Sequence, residues 1–493
     1  MIFPKNIFKN DRHIFCAFAI LFLFGCVTHP EFINKTKQTI IPGNPESVKP
    51  LFHKEILPEQ RDGLLYLSER ARLNHISGDY IGSNNDVITI QQYERSKEEG
   101  DPVLQFSRLL DQSNAFLTND NALPYQLRSF EKVMLYQMAA FNCLQKAPQD
   151  LEAAINTVLD IQKKLHQERK TSAASYEEGL QKSENQNAKK GWAALQGQPA
   201  FQKQNQYDAK ISTSIQSFEN ASAYYFCGLF YEIHHNYSSA MLAYQFAFEL
   251  IPQNKTFRDS FIKMAQKSNQ EDILNNYSLA PLPKKELELP ANTGEVIVFF
   301  ESGWIPAKHE FNLNLPFPTF DNNIVLIPLS LPYYPKEKDV PPPLNISFGT
   351  KTIQTEAADN IYHFAVKDLH QQMPIIATRM FLRAFSKSSA SYMMLKKADD
   401  IDNATEALIA KIFVYMLQIG FTKMEQPDLR SFLTLPHTLQ IARIPLSAGD
   451  QPLKLNYDNQ SQQYTISIKP NQKTILHIIA NKNFITCRQS FMP

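Results

Sequence analysis

Three groups of side chains in this chain of 493 residues have types and spacings that could do chemistry. Glu301, His309 and Glu310 stand on either side of Trp304, two carboxylates and an imidazole of the kind that divide acid and base roles in hydrolysis. If Glu301, His309 or Asp428 lined a cleft with two carboxylates within about 10 Å, an envelope enzyme acting on peptidoglycan would follow. His234 and His235 invite a metal ion, but adjacent residues at a helix end point apart, so a turn between two helices is the better reading. Asp428 and Arg430 precede an apolar strand, where they can form an ion pair that fixes a loop or recognises a ligand. No GxSxG, HExxH, P-loop or GxGxxG segment occurs, and 15 glycines leave little material for phosphate-cradling loops. The expectation is no catalytic residue, no metal and no cofactor. Glu301, His309 and Glu310 then form a polar hairpin loop packed on an aromatic, and Asp428 with Arg430 forms a structural clamp.

The fourth candidate is Cys26, whose chemistry would be acylation. Residues 1–13 carry Lys5, Lys9 and Arg12 against Asp11, and residues 14–24 (IFCAFAILFLF) are an unbroken apolar run. A helix needs about 20 apolar residues to cross a bilayer, so this shorter run suits the core of a secretory signal. It closes as Leu23-Phe24-Gly25-Cys26, which resembles the bacterial lipobox. Cleavage between Gly25 and Cys26 would make a lipid-bearing cysteine the first residue of the mature chain. Val27 follows where an aspartate would hold the protein at the inner membrane, which implies the outer membrane, periplasmic side. Residues 26–58 read as a polar, proline-dotted tether. Without residues 1–25 the net charge falls from +1 to about −1, and near-neutrality argues against nucleic acid as a partner. Cys143, Cys227 and Cys487 form no CxxC pair and read as small buried hydrophobes.

The elements that position these residues divide into two halves, since the length exceeds one compact domain. Residues 59–279 are almost free of strand signals and predict a helical domain. Within it Gly228, Tyr231, Ala240, Tyr244, Ala247 and Pro252 fall where a tetratricopeptide repeat places its small and aromatic residues. Gly228 and Ala240 let two helices approach, the tyrosines fill the gaps, and Pro252 ends the second helix. Weaker units begin near Leu64 and span residues 135–165; stacked repeats need about three units. Residues 169–210, rich in Lys, Gln, Asn and Ser, predict a solvated long helix or a connection.

Residues 280–293 form a proline-containing linker. Strands are expected at residues 295–300, 310–315, 323–329, 344–348, 438–446, 452–455, 463–468 and 473–480, bounded by Gly, Pro and Asn. A helical insertion at about 357–419 separates the two groups, with Pro374 kinking or starting a helix and residues 402–419 packed inside. The fold class is therefore multidomain: tetratricopeptide-like helical repeats, then a β-rich sandwich or mixed sheet with a helical insertion over residues 294–487. Residues 294–310 (GEVIVFFESGWIPAKHE), the helix with Met373-Pro374 and residues 379–387, and residues 428–443 (DLRSFLTLPHTLQIAR) resemble blocks of an uncharacterised family of bacterial lipoproteins with tetratricopeptide-like N-terminal halves. The resemblance implies an envelope compartment and this architecture. Genes of that family often neighbour those of lipoproteins that activate penicillin-binding proteins, which implies a link to cell-wall synthesis.

Three functions follow as expectations. The first is a non-enzymatic adaptor held to a membrane by its lipid, offering a protein or peptide partner the inner groove of the repeats. First-helix positions Ser222, Tyr225, Leu229, Glu232 and Ile233 would line that groove, with Tyr225 as aromatic anchor. The others are an envelope enzyme and a structural subunit of a secretion or surface assembly.

Overall fold

The structure, a computed structural model, describes residues 28–52, 55–96, 120–170, 176–318, 324–349, 351–401, 407–408, 410–412, 414 and 426–492. Gly25, Cys26 and most of residues 402–419 lie outside them. Within that last run Val414 is buried while Leu408 and Ile412 are exposed.

The described part of the expected tether is folded. Helix α1 (His29–Thr39) opens with the Glu31 carboxylate accepting the Thr28 N–H at 3.0 Å, and it buries Ile33 and Thr36. Its apolar positions recur at helical spacing, which a free tether does not need. Ile40 and Val48 then pack with Leu73, Ile76 and Ile479, so this segment touches both halves of the chain.

Helix pairs stand at the three positions expected: α2 (Gly63–Ser77) with α3 (Tyr80–Arg95), α4 (Ser129–Lys146) with α5 (Leu151–Lys170), and, after three further helices, α9 (Ala221–Ile233) with α10 (Tyr237–Leu250). Gly78 ends α2 at φ 95°, and Asp79 caps α3 by accepting the Gly82 N–H at 2.9 Å. Asn220, Asn236 and Asn254 cap α9, α10 and α11 (Lys255–Lys267) in the same way. A Cβ on Gly228 would lie 2.6 Å from the Tyr244 ring, so the close approach of α9 to α10 depends on glycine. Gly228→Ala is expected to cost about 1–3 kcal/mol of stability through overpacking. A variant as stable as the parent in chemical denaturation would show that the ring can move aside.

The three helices α6 (Tyr176–Lys182), α7 (Gln186–Gln196) and α8 (Pro199–Ser214) replace the expected solvated segment. Leu180, Ala188, Trp192, Leu195 and Phe201 are buried, because even a sparse apolar pattern forms one stripe at helical spacing. They pack on the 39-residue helix α12 (Ile361–Asp399), with Gly191 against the Phe381 ring; Pro374 lies inside α12 rather than at its start.

Eleven strands are described: β1 (Thr293–Ser302), β2 (His309–Pro318), β3 (Ile324–Tyr333), β4 (Asn345–Phe348), β5 (Lys351–Gln354), β6 (Glu356–Asn360), β7 (Thr438–Ser447), β8 (Gly449–Tyr457), β9 (Gln460–Ile468), β10 (Lys473–Ala480) and β11 (Ile485–Phe491). The order β11-β10-β1-β7-β6 makes a five-stranded mixed sheet in which only β1 and β10 run parallel. A second sheet, β5-β4-β8-β9, is antiparallel, and β2 pairs with β3 as a ribbon. Val296, Val298 and Phe300 of β1 face the second sheet, packing with Ile346, Leu455 and Ile466. Ile297 and Phe299 face the helices and share one core with Phe141, Tyr225 and Phe226. Burial on both faces is why β1 reads as a continuous apolar run. The molecule is thus layered as helices, mixed sheet and second sheet, and the two expected domains share a core across the linker. The β-rich part extends to Phe491, beyond the expected limit at residue 487.

Candidate functional site

The helix-facing side of the mixed sheet occupies the groove expected for a partner. Tyr225 and Leu229 are fully buried, Ser222 and Glu232 nearly so, and Ile233 is half-buried. Tyr225 packs against Phe257 and Phe299 at ring-centroid distances of 5.3 and 6.1 Å, and the Asp359 carboxylate accepts the Ala221 and Ser222 N–H groups, each at 2.9 Å. These positions receive the chain's own sheet, so Tyr225 is core and not an accessible anchor. The repeat signature supplies the other side of the packing: Ala240, Tyr244 and Ala247 are buried, Tyr231 is half-buried, and α10 stops at Leu250 just before Pro252.

Polar residues pin this junction at both ends of β1. At its start, Arg443 of β7 lies between Glu232 of α9 and Glu295 of β1, donating to Glu232 at 2.7 and 2.8 Å and to Glu295 through Nε at 3.0 Å. Tyr244 donates to Glu232 at 2.7 Å, while Lys473 and Lys263 approach within 3.2 Å of Glu232 and 3.4 Å of Glu295 respectively. Burial pushes the Glu295 carboxyl up, but the Arg443 charge and hydrogen bonds outweigh it and bring it to about 2. Glu232 is held well below the usual carboxylate range against the same burial, first by Arg443 and then by Lys473.

At the far end of β1, Glu301 pairs with Arg72 of α2 and accepts from His477 Nε2 at 2.8 Å. His477 stacks on Phe141 at 4.1 Å, and burial depresses its proton affinity. Burial alone would raise the Glu301 carboxyl, yet Arg72 and then His477 hold it low. Glu301 therefore belongs to a buried strand rather than to the expected hairpin loop. His309 and Glu310 are exposed at the start of β2, with His309 beside Tyr333. The structure does not assemble the three into one site.

Asp428 and Arg430 do form a clamp. Arg430 is held by Asp428 at 2.7 and 2.9 Å and donates to Asp62 at 2.6 Å and to the carbonyls of Asp120 and Leu123. The strap continues as Leu433 and Thr434 donate their N–H groups to the Glu69 carboxylate at 2.7 and 3.2 Å. His234 and His235 lie exposed in the α9–α10 turn, their Nδ1 atoms engaged by the Phe230 carbonyl and the Tyr237 hydroxyl. Among the described residues, no group of three or more His, Cys, Asp or Glu is placed to hold a metal ion. Cys143 and Cys227 are buried and Cys487 is half-buried, all as free thiols.

Two features escaped the sequence. Glu337, in a proline-rich loop, bridges His437 at 2.6 Å and His363 at 3.0 Å, and its N–H donates to the Tyr207 hydroxyl. Three residues so far apart in the chain carry no local signal, and together they tie that loop to the start of α12. The second feature is a cavity of about 610 Å³, open to solvent, between α1, the side chains of Leu51, Phe52, Glu55 and Ile56, and the start of α2. Phe32, Leu51, Phe52, Ile56 and Tyr66 line it, with Arg61 and Asp62 among its polar residues. Its size falls in the range of about 300–1,000 Å³ common for small-ligand sites.

The junction carboxylates Glu232, Glu295 and Glu301 are each engaged by cations and hydrogen-bond donors, whereas the open concavity beside α1 combines an apolar wall with Glu55, Gln60, Arg61 and Asp62. No family model, curated protein or solved structure matches this chain.

Proposed function

We propose that the chain is a membrane-anchored, non-enzymatic adaptor of a bacterial cell envelope, lipidated at Cys26 and facing the periplasm from the outer membrane. The observation that carries this reading is the signal-like segment ending in Leu23-Phe24-Gly25-Cys26 only two residues before Thr28, where a packed helix begins. A lipid at Cys26 would therefore hold the folded body against the bilayer instead of dangling it from a tether. Two or more acyl chains on one cysteine suffice for stable attachment. The helix pairs are consistent with degenerate tetratricopeptide units whose inner face serves as a scaffold for the sheet.

With that inner face filled, the adaptor reading moves partner contact to the outer side of the β2–β3 ribbon and the distal part of α12. Phe317 packs the inner side of the ribbon against Phe381 and Phe385 at 5.0 and 5.3 Å, which turns Ile324 and Leu326 outward at 72% and 62% exposure. Met393 and Met394 are also exposed farther along α12. In-cell crosslinking and pulldown tests the proposal. Ile324→Glu with Leu326→Glu is expected to reduce partner capture about tenfold or more while stability stays within about 0.5 kcal/mol, as for other surface changes. Cys26→Ser is expected to move the protein out of the membrane fraction and change its partner set. Unchanged capture in both variants would refute the adaptor reading, and recovery of several copies of this chain alone would favour an assembly subunit.

A further inference from the structure

The cavity beside α1 has a chemistry and a position that the adaptor reading does not use. Phe32, Phe52 and Tyr66 meet edge to face, with centroids 5.7, 5.9 and 6.4 Å apart, and their surfaces together with Leu51 and Ile56 make an apolar wall. His29 packs edge-on against Tyr66 at 5.5 Å, which sets the first turn of α1 against that wall. Phe32 follows Thr28 by four residues, a rise of about 6 Å along a helix. Residues 26 and 27 add at most about 7 Å of backbone. The chain from Cys26 to Phe32 can thus span at most about 13 Å, less than the roughly 15 Å of a single hydrocarbon leaflet.

We infer that this cavity, lined by Phe32, Phe52, Ile56 and Tyr66, takes one hydrocarbon chain of the lipid carried by Cys26. The inference rests on the lipoprotein reading and adds to it a binding site and its ligand class. The apolar wall suits an alkyl chain, since the rings and the aliphatic side chains offer contact without demanding hydrogen bonds, while Glu55, Gln60, Arg61 and Asp62 make up the polar part of the lining. The rim also suits it: Arg61, paired with Asp62 and about 60% exposed, stays in water as the chain enters. An anchored protein then has two states, one with all chains in the bilayer and one with a chain withdrawn into the body. Withdrawal removes apolar surface from water when the protein leaves a membrane, and it matters most in transit between membranes.

The test uses the full-length protein made in cells fed a palmitate analogue carrying a diazirine on its chain. After irradiation, mass spectrometry locates both the acyl group and any crosslink. The expected result is label on Cys26 and an intramolecular crosslink to peptides containing Phe32, Phe52 or Tyr66. Ile56→Trp, which fills the cavity from a half-buried position, should lower that crosslink about tenfold with label on Cys26 unchanged. Label on Cys26 without the crosslink would overturn the inference and leave the lipoprotein reading intact. A mature chain with no label on Cys26 would overturn both. A crosslink that persists in Cys26→Ser would show free fatty acid as the occupant and refute the assignment to the chain's own lipid.

Discussion

Arg443→Met is expected to destabilise the protein by about 3–5 kcal/mol, the range for breaking a buried ion pair by removing one partner. The guanidinium lies between two carboxylates from different layers, Glu232 on the helices and Glu295 on the sheet, and it bonds both in a fork-like arrangement. Removing it leaves both acids in a site where their side chains are 2% and 7% exposed. Lys473 and Lys263 lie 3.2–3.6 Å from these carboxylates, but as compact ammonium groups they do not replace five donors directed by a planar fork. Arg443→Lys should be nearly as costly, because an ammonium lacks the planar fork that directs separate N–H groups at each carboxylate. Replacing all three residues with Met, Gln and Gln should recover part of the loss, since the two buried carboxylate charges go with the arginine and only the less buried Lys473 and Lys263 lose a partner. Urea unfolding measures each variant. A loss under about 1 kcal/mol for Arg443→Met would mean that this ion cluster adds little net stability to the contact between the helices and the sheet.

How much of this was legible in the sequence depends on the range over which each signal acts. Strand β1 could be read from residues 295–300, and the helix pair around Gly228 from its six spaced residues, because both patterns are local. The same glycine–tyrosine packing tempted a functional reading of Tyr225 and Glu232. A first-helix side chain looks the same in sequence whether a partner or the chain's own sheet covers it. What decides the matter is Arg443, 211 residues from Glu232 in the chain. Glu301 illustrates the same limit: its neighbours Trp304 and His309 suggested a cluster, but its partners are Arg72 and His477. The strap at Asp428–Thr434 could be foreseen as a clamp through its Asp-x-Arg spacing, whereas its hold on Asp62 and Glu69 could not. Residues 26–58 read as a tether because prolines outweigh a short helical period, and the single buried stripe of α1 reverses that.

The same ion-paired acids set the second large expectation, a steep loss of stability below pH 4.5. Glu295 falls from 4.5 to about 2 in the native state, and Glu232 and Glu301 are lowered as well. Between the lowered and the ordinary values the unfolded chain binds more protons, so stability present above about pH 4.5 is lost as pH falls. Asp208 and Asp359, raised by burial to about 7 and about 6, act in the opposite sense: the native state takes their protons first and gains as pH falls through those values. His75, His370 and His477, lowered by burial from 6.5, offset that gain, because the unfolded chain protonates them below 6.5. The profile should therefore be shallow from about pH 6.5 to 4.5. From pH 4.5 to 3 it should drop, by about 2 kcal/mol from Glu295 at 1.36 kcal/mol per unit, with Glu232 and Glu301 acting in the same direction. Arg443→Met should flatten this acid limb as well as lower the plateau, since Glu232 and Glu295 lose the partner that keeps them ionised. Urea denaturation at half-unit pH steps provides the comparison. An acid limb equally steep with and without Arg443 would show that the junction's carboxylates are not what acid attacks.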